Sequence, residues 1–182
     1  MKSMSDLAHQ FLKPAIHAQA VCIDATLGRG RDSRFFLENN AGTVFAYEVQ
    51  PELAELCRRQ IDNPKFSVRL KGHEHMAEDF QKGEQIDAVV FNFGYDPHTL
   101  SGVHTHCPTS LAAVMAAADL LRARGRMALV FYPHEEGRKE REAITEALLQ
   151  RTDIDLLECA RVDRPESPVL LCIEKRRAPL SE

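Results

Sequence analysis

The sequence predicts an α/β fold of the Rossmann-like kind: a seven-stranded, mostly parallel sheet, helices on both faces and a C-terminal antiparallel hairpin. Three observations predict it. Short apolar, β-branched runs alternate with longer stretches of helical period, which is the pattern of βαβ units. The first such run ends in a glycine-bearing turn that opens a helix. Only residues 163–168 separate the last two runs, too few for a parallel crossover, so those strands should pair antiparallel at or near one edge.

Taken in order, a helix is expected over 5–12, stopped by Pro14. Strands are expected over 21–26, 43–49, 66–71, 86–93, 126–132, 154–162 and 169–174. Helices are expected over 32–38, 51–61, 74–80, 109–124 and 137–151, and Pro51 suits a first helical turn, where its missing N–H costs nothing. Residues 94–108 carry no clear period, and a loop of that length in a compact domain is usually functional. No repeat or linker divides the chain, so one domain over 1–182 is expected.

With 182 residues, 44% of them hydrophobic, the chain can bury a core without disulfide or metal staples. The formal charge of −4 offers phosphates no global attraction, so any nucleic-acid contact must be local. The five cysteines are odd in number and form no C-x-x-C pair, which fits reduced, mostly buried thiols. Nowhere do about 18 apolar residues run together, and the N-terminal stretch lacks a cleavable apolar leader. A cytoplasmic protein without membrane attachment is the expectation.

Asp24, Gly28, Gly30, Asp32 and Ser33 lie in the turn after the first strand, where open α/β sheets bind ligands. The two glycines allow close backbone approach to a ligand. Glu48 ends the second strand, placed for ribose hydroxyls that a dinucleotide and an adenosyl cofactor both carry. Two features disfavour a dinucleotide, and with it a nicotinamide-dependent oxidoreductase. Ser33 stands in place of the third glycine of G-x-G-x-x-G, and Asp24 sets a carboxylate where a pyrophosphate would be repelled. S-adenosylmethionine has no phosphate, and the ammonium of its amino-acid end suits Asp24 or Asp32.

Residues 24–33, Glu48 to Gln50, His73 with Glu74, 91–95, 132–137 and 168–175 follow one another in a definite order and spacing. Together they resemble, over nearly the whole chain, a small family of bacterial class I methyltransferases labelled rRNA methylases. Five βα units followed by a hairpin is also the class I order. The resemblance implies S-adenosylmethionine as cofactor. Family members with an assigned activity methylate the amine of 5-aminomethyl-2-thiouridine at the tRNA wobble position. It therefore also implies that substrate, tRNA as partner and a homodimer. This chain reads Phe-Gly-Tyr-Asp-Pro-His over 93–98 where the family usually has Leu-Gly-Tyr-Leu-Pro-Gly, and Ser33 where Thr is usual.

Methyl transfer from a sulfonium is an in-line displacement, so the protein has to align and desolvate an unprotonated nucleophile. Asn92 and Tyr95, at the end of the fourth strand, are the candidate catalytic residues in a loop that resembles the Asn-Pro-Pro-Tyr loops of amine N-methyltransferases. Asn92 would accept a hydrogen bond from the amine and Tyr95 would stack on a base. Asp96 is a candidate proton acceptor and His134 a candidate substrate contact; a solvated loop acid and an exposed loop histidine are the alternatives. Gln50, His73, Glu74 and Asn92 complete the cofactor set begun by Asp24, Gly28, Gly30, Asp32, Ser33 and Glu48. Helix opening is the alternative for Gln50 and Glu74.

His73 with His75, and His104 with His106 and Cys107, lack a third ligand at recognisable spacing, so no metal is expected. Arg29, Arg31 and Arg34, and separately Arg122, Arg124 and Arg126, are candidate phosphate contacts. The competing functions are the same chemistry on a small amine metabolite or on rRNA, and a non-catalytic, S-adenosylmethionine-binding protein that associates with RNA.

Overall fold

The computed structural model describes residues 1–93 and 105–177. Its strands are β1 (Val21–Asp24), β2 (Thr43–Glu48), β3 (Phe66–Leu70), β4 (Ile86–Phe93), β5 (Leu121–Phe131), β6 (Ile154–Cys159) and β7 (Val169–Lys175). They form one seven-stranded sheet in the order β3-β2-β1-β4-β5-β7-β6. The first five strands pair in parallel. β7 runs antiparallel to both β5 and β6, so the expected hairpin is present, with its second strand inserted next to β5.

Five α-helices accompany the sheet among the described residues: α1 (Met4–Leu12), α2 (Arg31–Glu38), α3 (Pro51–Gln60), α4 (Cys107–Leu120) and α5 (Glu135–Leu149). Strand side chains alternate between faces, and the buried residues sort accordingly. Val89, Phe91 and Phe93 of β4 face one way, into a core closed by α4 and α5. Ala88 and Val90 face the other way, into a core closed by α1 and α2, while Leu27, Ala46 and Cys57 pack a smaller cluster under α3. By the same parity, Asp24 and Asn92 stand on the α1/α2 side of the sheet.

Two expected boundaries are corrected. The helix expected over 74–80 is a 3₁₀ segment, His73–Asp79. The helix expected to run to Arg124 stops at Leu120, because Leu121 takes extended backbone and begins β5. Arg124 then adopts a positive φ of 67° before Gly125, and the pairing of β4 with β5 shifts register between Ile86 and Ala88. All five cysteines are free, with Cys22, Cys57 and Cys172 buried. No helix among the described residues is long and apolar enough to cross a membrane.

Candidate active site

The site begins at the C-terminal ends of β1 and β4, which lie side by side in parallel. Asp24 closes β1 and is fully buried; its Oδ2 accepts from the backbone N of Ser33 (3.0 Å) and from Ser33 Oγ (2.7 Å). One carboxylate thus ties the end of the strand to the first turn of α2 and draws the glycine loop shut. Ser33 is fully buried as well, so this pair shapes the loop from beneath. Burial, then the nearby charge of Asp32, pushes the Asp24 carboxyl up to about 7, against the pull of its Ser33 hydrogen bonds.

The glycines divide the work. Gly30 is the N-cap of α2 at φ 75°, and a Cβ there would sit 2.9 Å from Ile61 Cδ1 and 3.2 Å from Cys57 Sγ. Its bareness serves packing. Gly28, at φ 49°, would carry its Cβ into open space, with Thr26 O the nearest atom at 4.0 Å. That bare, open side is where a ligand can lie on the backbone.

Glu48 ends β2 and accepts from Gly28 N (3.0 Å) and Gln50 N (2.9 Å), which fixes its carboxylate beside the loop. Burial raises its carboxyl above the ordinary range, and the Gln50 and Gly28 hydrogen bonds oppose that shift. Gln50 occupies the N-cap of α3 without a side-chain capping bond; its side chain bonds Glu48 instead. His73, nearly buried, places Nδ1 3.0 Å from the Ala25 carbonyl and stands edge-on to Phe91 at 5.7 Å. Burial lowers its pKa, so it is a neutral ring donating from Nδ1. Glu74 follows it in the first turn of the 3₁₀ segment and lies 3.8 Å from His75.

Asn92 is half-buried at the end of β4. Its backbone N donates to Thr26 Oγ1 (2.8 Å) and its Nδ2 donates to Asp32 Oδ2 (2.6 Å). The second oxygen of Asp32 is met by His9 Nε2 at 2.5 Å, from the N-terminal helix. Neither His9 nor Thr26 stood out in the sequence. The Thr26 hydroxyl lies within the glycine turn, but its use as an acceptor depends on β4 pairing beside β1.

His134 is the N-cap of α5, its Nδ1 accepting from Gly137 N at 3.0 Å. Helix capping is thus a role of His134 that neither sequence-based alternative named. Nearby, Glu140 is fully buried and accepts from Ser110 Oγ (2.5 Å), tying α5 to α4. Tyr95, Asp96 and His104 lie outside the described residues. Among the described residues no group of three His, Cys, Asp or Glu side chains is placed to hold a metal ion.

The two arginine clusters separate. Arg122 pairs with Asp87, and Arg124 and Arg126 both pair with Glu174 at 2.8 Å. All three sit toward the opening of β5, the far end of the sheet from Asn92. Arg31 and Arg34, with His9, Phe35 and Glu38, line a surface pocket of about 400 Å³ beside the glycine loop.

The family profile described as "Putative rRNA methylase" matches residues 44–175. A curated relative, the chloroplastic tRNA (mnm(5)s(2)U34)-methyltransferase of Arabidopsis thaliana, is 28% identical over 96% of this chain and 70% of its own length. A "putative methyltransferase" from Streptococcus mutans, solved in complex with SAH, is 28% identical, with a TM-score of 0.85 over 96% of this chain and 99% of that one. A "putative rRNA-methylase" from Clostridium thermocellum superposes with a TM-score of 0.88 at 24% identity, covering 96% of this chain and 98% of the other.

Proposed function

We propose, for a chain that belongs to the "Putative rRNA methylase" family, that the acceptor is the aminomethyl group of 5-aminomethyl-2-thiouridine at the tRNA wobble position. The protein is an S-adenosylmethionine-dependent methyltransferase. The site suits that cofactor on its own terms: Asp32 and Glu48 flank one loop and Asp24, its carboxyl raised to about 7, lies beneath it, a setting that favours a cationic ligand over a pyrophosphate. When bound, S-adenosylmethionine supplies an electrophilic methyl group on a sulfonium.

The rest falls to the chain. Gly28 leaves the loop backbone open to the ligand, Glu48 offers acceptor oxygens for ribose hydroxyls, and Asp32 faces the amino-acid end. Gln50, His73 and Glu74 border the adenosine side, while Asp24 and Ser33 hold the loop closed from below. Asn92 orients the acceptor amine through Oδ1, its Nδ2 being committed to Asp32. Tyr95 stacks on the base, and Asp96 borders the acceptor. Single-domain organisation over 1–182 and a homodimer belong to the same reading.

The hydrogen bond between Asn92 and Asp32 supports this reading, because it ties the amide at the end of β4 to the turn that follows β1. The substrate assignment is supported by the Arabidopsis relative's activity. Nucleoside mass spectrometry of tRNA from cells lacking the gene tests it. Accumulation of 5-aminomethyl-2-thiouridine is the expected result; an unchanged wobble nucleoside together with an undermethylated rRNA or small amine would move the enzyme to that substrate.

A further inference from the structure

We propose that His9 is a positioning residue of the acceptor side, acting through Asp32 on Asn92; the proposal rests on the role given to Asn92 above. Each oxygen of the Asp32 carboxylate has its own partner: Oδ1 meets His9 Nε2 at 2.5 Å, and Oδ2 meets Asn92 Nδ2 at 2.6 Å. The chain of bonds joins three elements, α1, α2 and the end of β4. Asp32 is nearly buried and the His9 side chain is only 15% exposed, so water competes poorly for either bond.

The ring of His9 is itself held. It lies flat on Phe35 of α2, with centroids 3.8 Å apart and planes 5° apart. A carboxylate with one bonded oxygen can pivot about its χ2, which is broad for aspartate; a carboxylate bonded at both oxygens cannot. Fixing Asp32 fixes the Nδ2 side of the Asn92 amide, and therefore the direction of Oδ1.

Docking of α1 has other sources. Met4, Ala8 and Leu12 form an i, i+4, i+8 stripe buried on the sheet, and a Ser3–Asp6 capping box opens the helix. Arg126 Nη1 bonds the Phe11 carbonyl at 2.7 Å and its guanidinium lies 4.9 Å over the Phe11 ring. The helix is therefore anchored without His9, which leaves the imidazole free to serve the site.

The test compares His9→Phe, which keeps a ring on Phe35 and removes the donor, with His9→Gln, which keeps an N–H donor at the same reach. Losing a hydrogen bond to a charged group should lower kcat by about tenfold in His9→Phe, with affinity for the demethylated cofactor within about twofold, while His9→Gln stays within about twofold on both counts. Independently of turnover, the Asn92 side-chain amide should be protected from hydrogen exchange by NMR in the unmodified protein and in His9→Gln, and lose protection in His9→Phe. A double variant His9→Phe/Asn92→Ala should be no slower than Asn92→Ala alone. Full turnover or retained amide protection in His9→Phe, equal losses in both His9 variants, or additive losses in the double variant would overturn the proposal. Full turnover in Asn92→Ala would instead remove the site reading on which it rests.

Discussion

Asn92 Nδ2 donates to Asp32 Oδ2 at 2.6 Å, a bond that spans 60 residues of sequence and joins the end of β4 to the first turn of α2. The end of β4 and the glycine loop thereby share one carboxylate. Parallel pairing of β1 with β4 makes this possible, because it brings the C-terminal ends of both strands to one edge. Strand parity then turns Asp24 and Asn92 to the same face of the sheet.

The two glycines of the loop should fail differently. Gly30→Ala puts a methyl 2.9 Å from Ile61 Cδ1 at a positive φ, so it should destabilise the fold by about 1–3 kcal/mol in denaturant unfolding. Gly28→Ala meets no neighbour closer than 4.0 Å, so its stability loss should be confined to backbone strain of about 1–2 kcal/mol. Its affinity for S-adenosylmethionine should fall far more than that of Gly30→Ala relative to stability lost. Calorimetry decides; unaltered affinity in Gly28→Ala would take the cofactor off the open side of the loop.

Asp24 gives the site a pH signature. Its pKa is raised in the fold, to about 7 from an unfolded value of 3.8, so the folded state holds the extra proton between those values. Stability contributed by this group is therefore greatest below the unfolded pKa and declines as pH rises toward about 7. A cationic cofactor favours the ionised form, so binding near neutrality should release a proton and tighten as pH rises from about 6 to 8. Asp24→Asn keeps an oxygen acceptor for Ser33 and removes the buried charge. It should melt at or above the unmodified protein at pH ~8, yet bind the cofactor at least about tenfold more weakly. Thermal melts and calorimetry in buffers of different ionisation enthalpy read both effects, and unchanged affinity would confine Asp24 to a structural role.

Much of this arrangement was legible in the sequence, for local reasons. The alternation of strand and helix periods, the shortness of 163–168 and the glycine turn each follow from a few adjacent residues, and the seven-stranded sheet with β7 antiparallel bears them out. The end of α4 was not legible, because the Ala-rich run continues a helical pattern past Leu120, and the break comes from the extended backbone of Leu121 and the positive φ at Arg124. His9 was hidden for a different reason. Its contact with Asp32 crosses 23 residues and two elements, and nothing in the period of α1 singles out one polar position over its neighbours. Ser33 and Asp24 were placed in the right turn, but which side of the loop they face depends on burial that only the assembled fold defines.

The positions of the arginines give a prediction about RNA. Arg34 donates to two neutral oxygens, the Arg29 carbonyl at 2.7 Å and Gln60 Oε1 at 3.1 Å, and lines the pocket beside the loop. Arg124 is paired with Glu174 at the opposite end of the sheet. If tRNA enters over the glycine loop, Arg34→Ala should weaken tRNA binding and reduce the slope of log K against log salt by about one. Arg124→Ala should leave both unchanged. Fluorescence anisotropy across a salt series measures the slopes, and equal effects from the two variants would place the RNA elsewhere.

One methylation assay decides whether Asn92 aligns an amine of the tRNA wobble nucleoside beside the glycine loop. Purified protein and Asn92→Ala are each given S-adenosylmethionine and tRNA bearing 5-aminomethyl-2-thiouridine, and the product nucleoside is quantified by mass spectrometry with cofactor affinity measured alongside. Methylation by the unmodified protein is expected and, in Asn92→Ala, turnover lower by at least about tenfold with cofactor affinity within about threefold. Full turnover in Asn92→Ala, or no methylation of that tRNA by the unmodified protein, would contradict it.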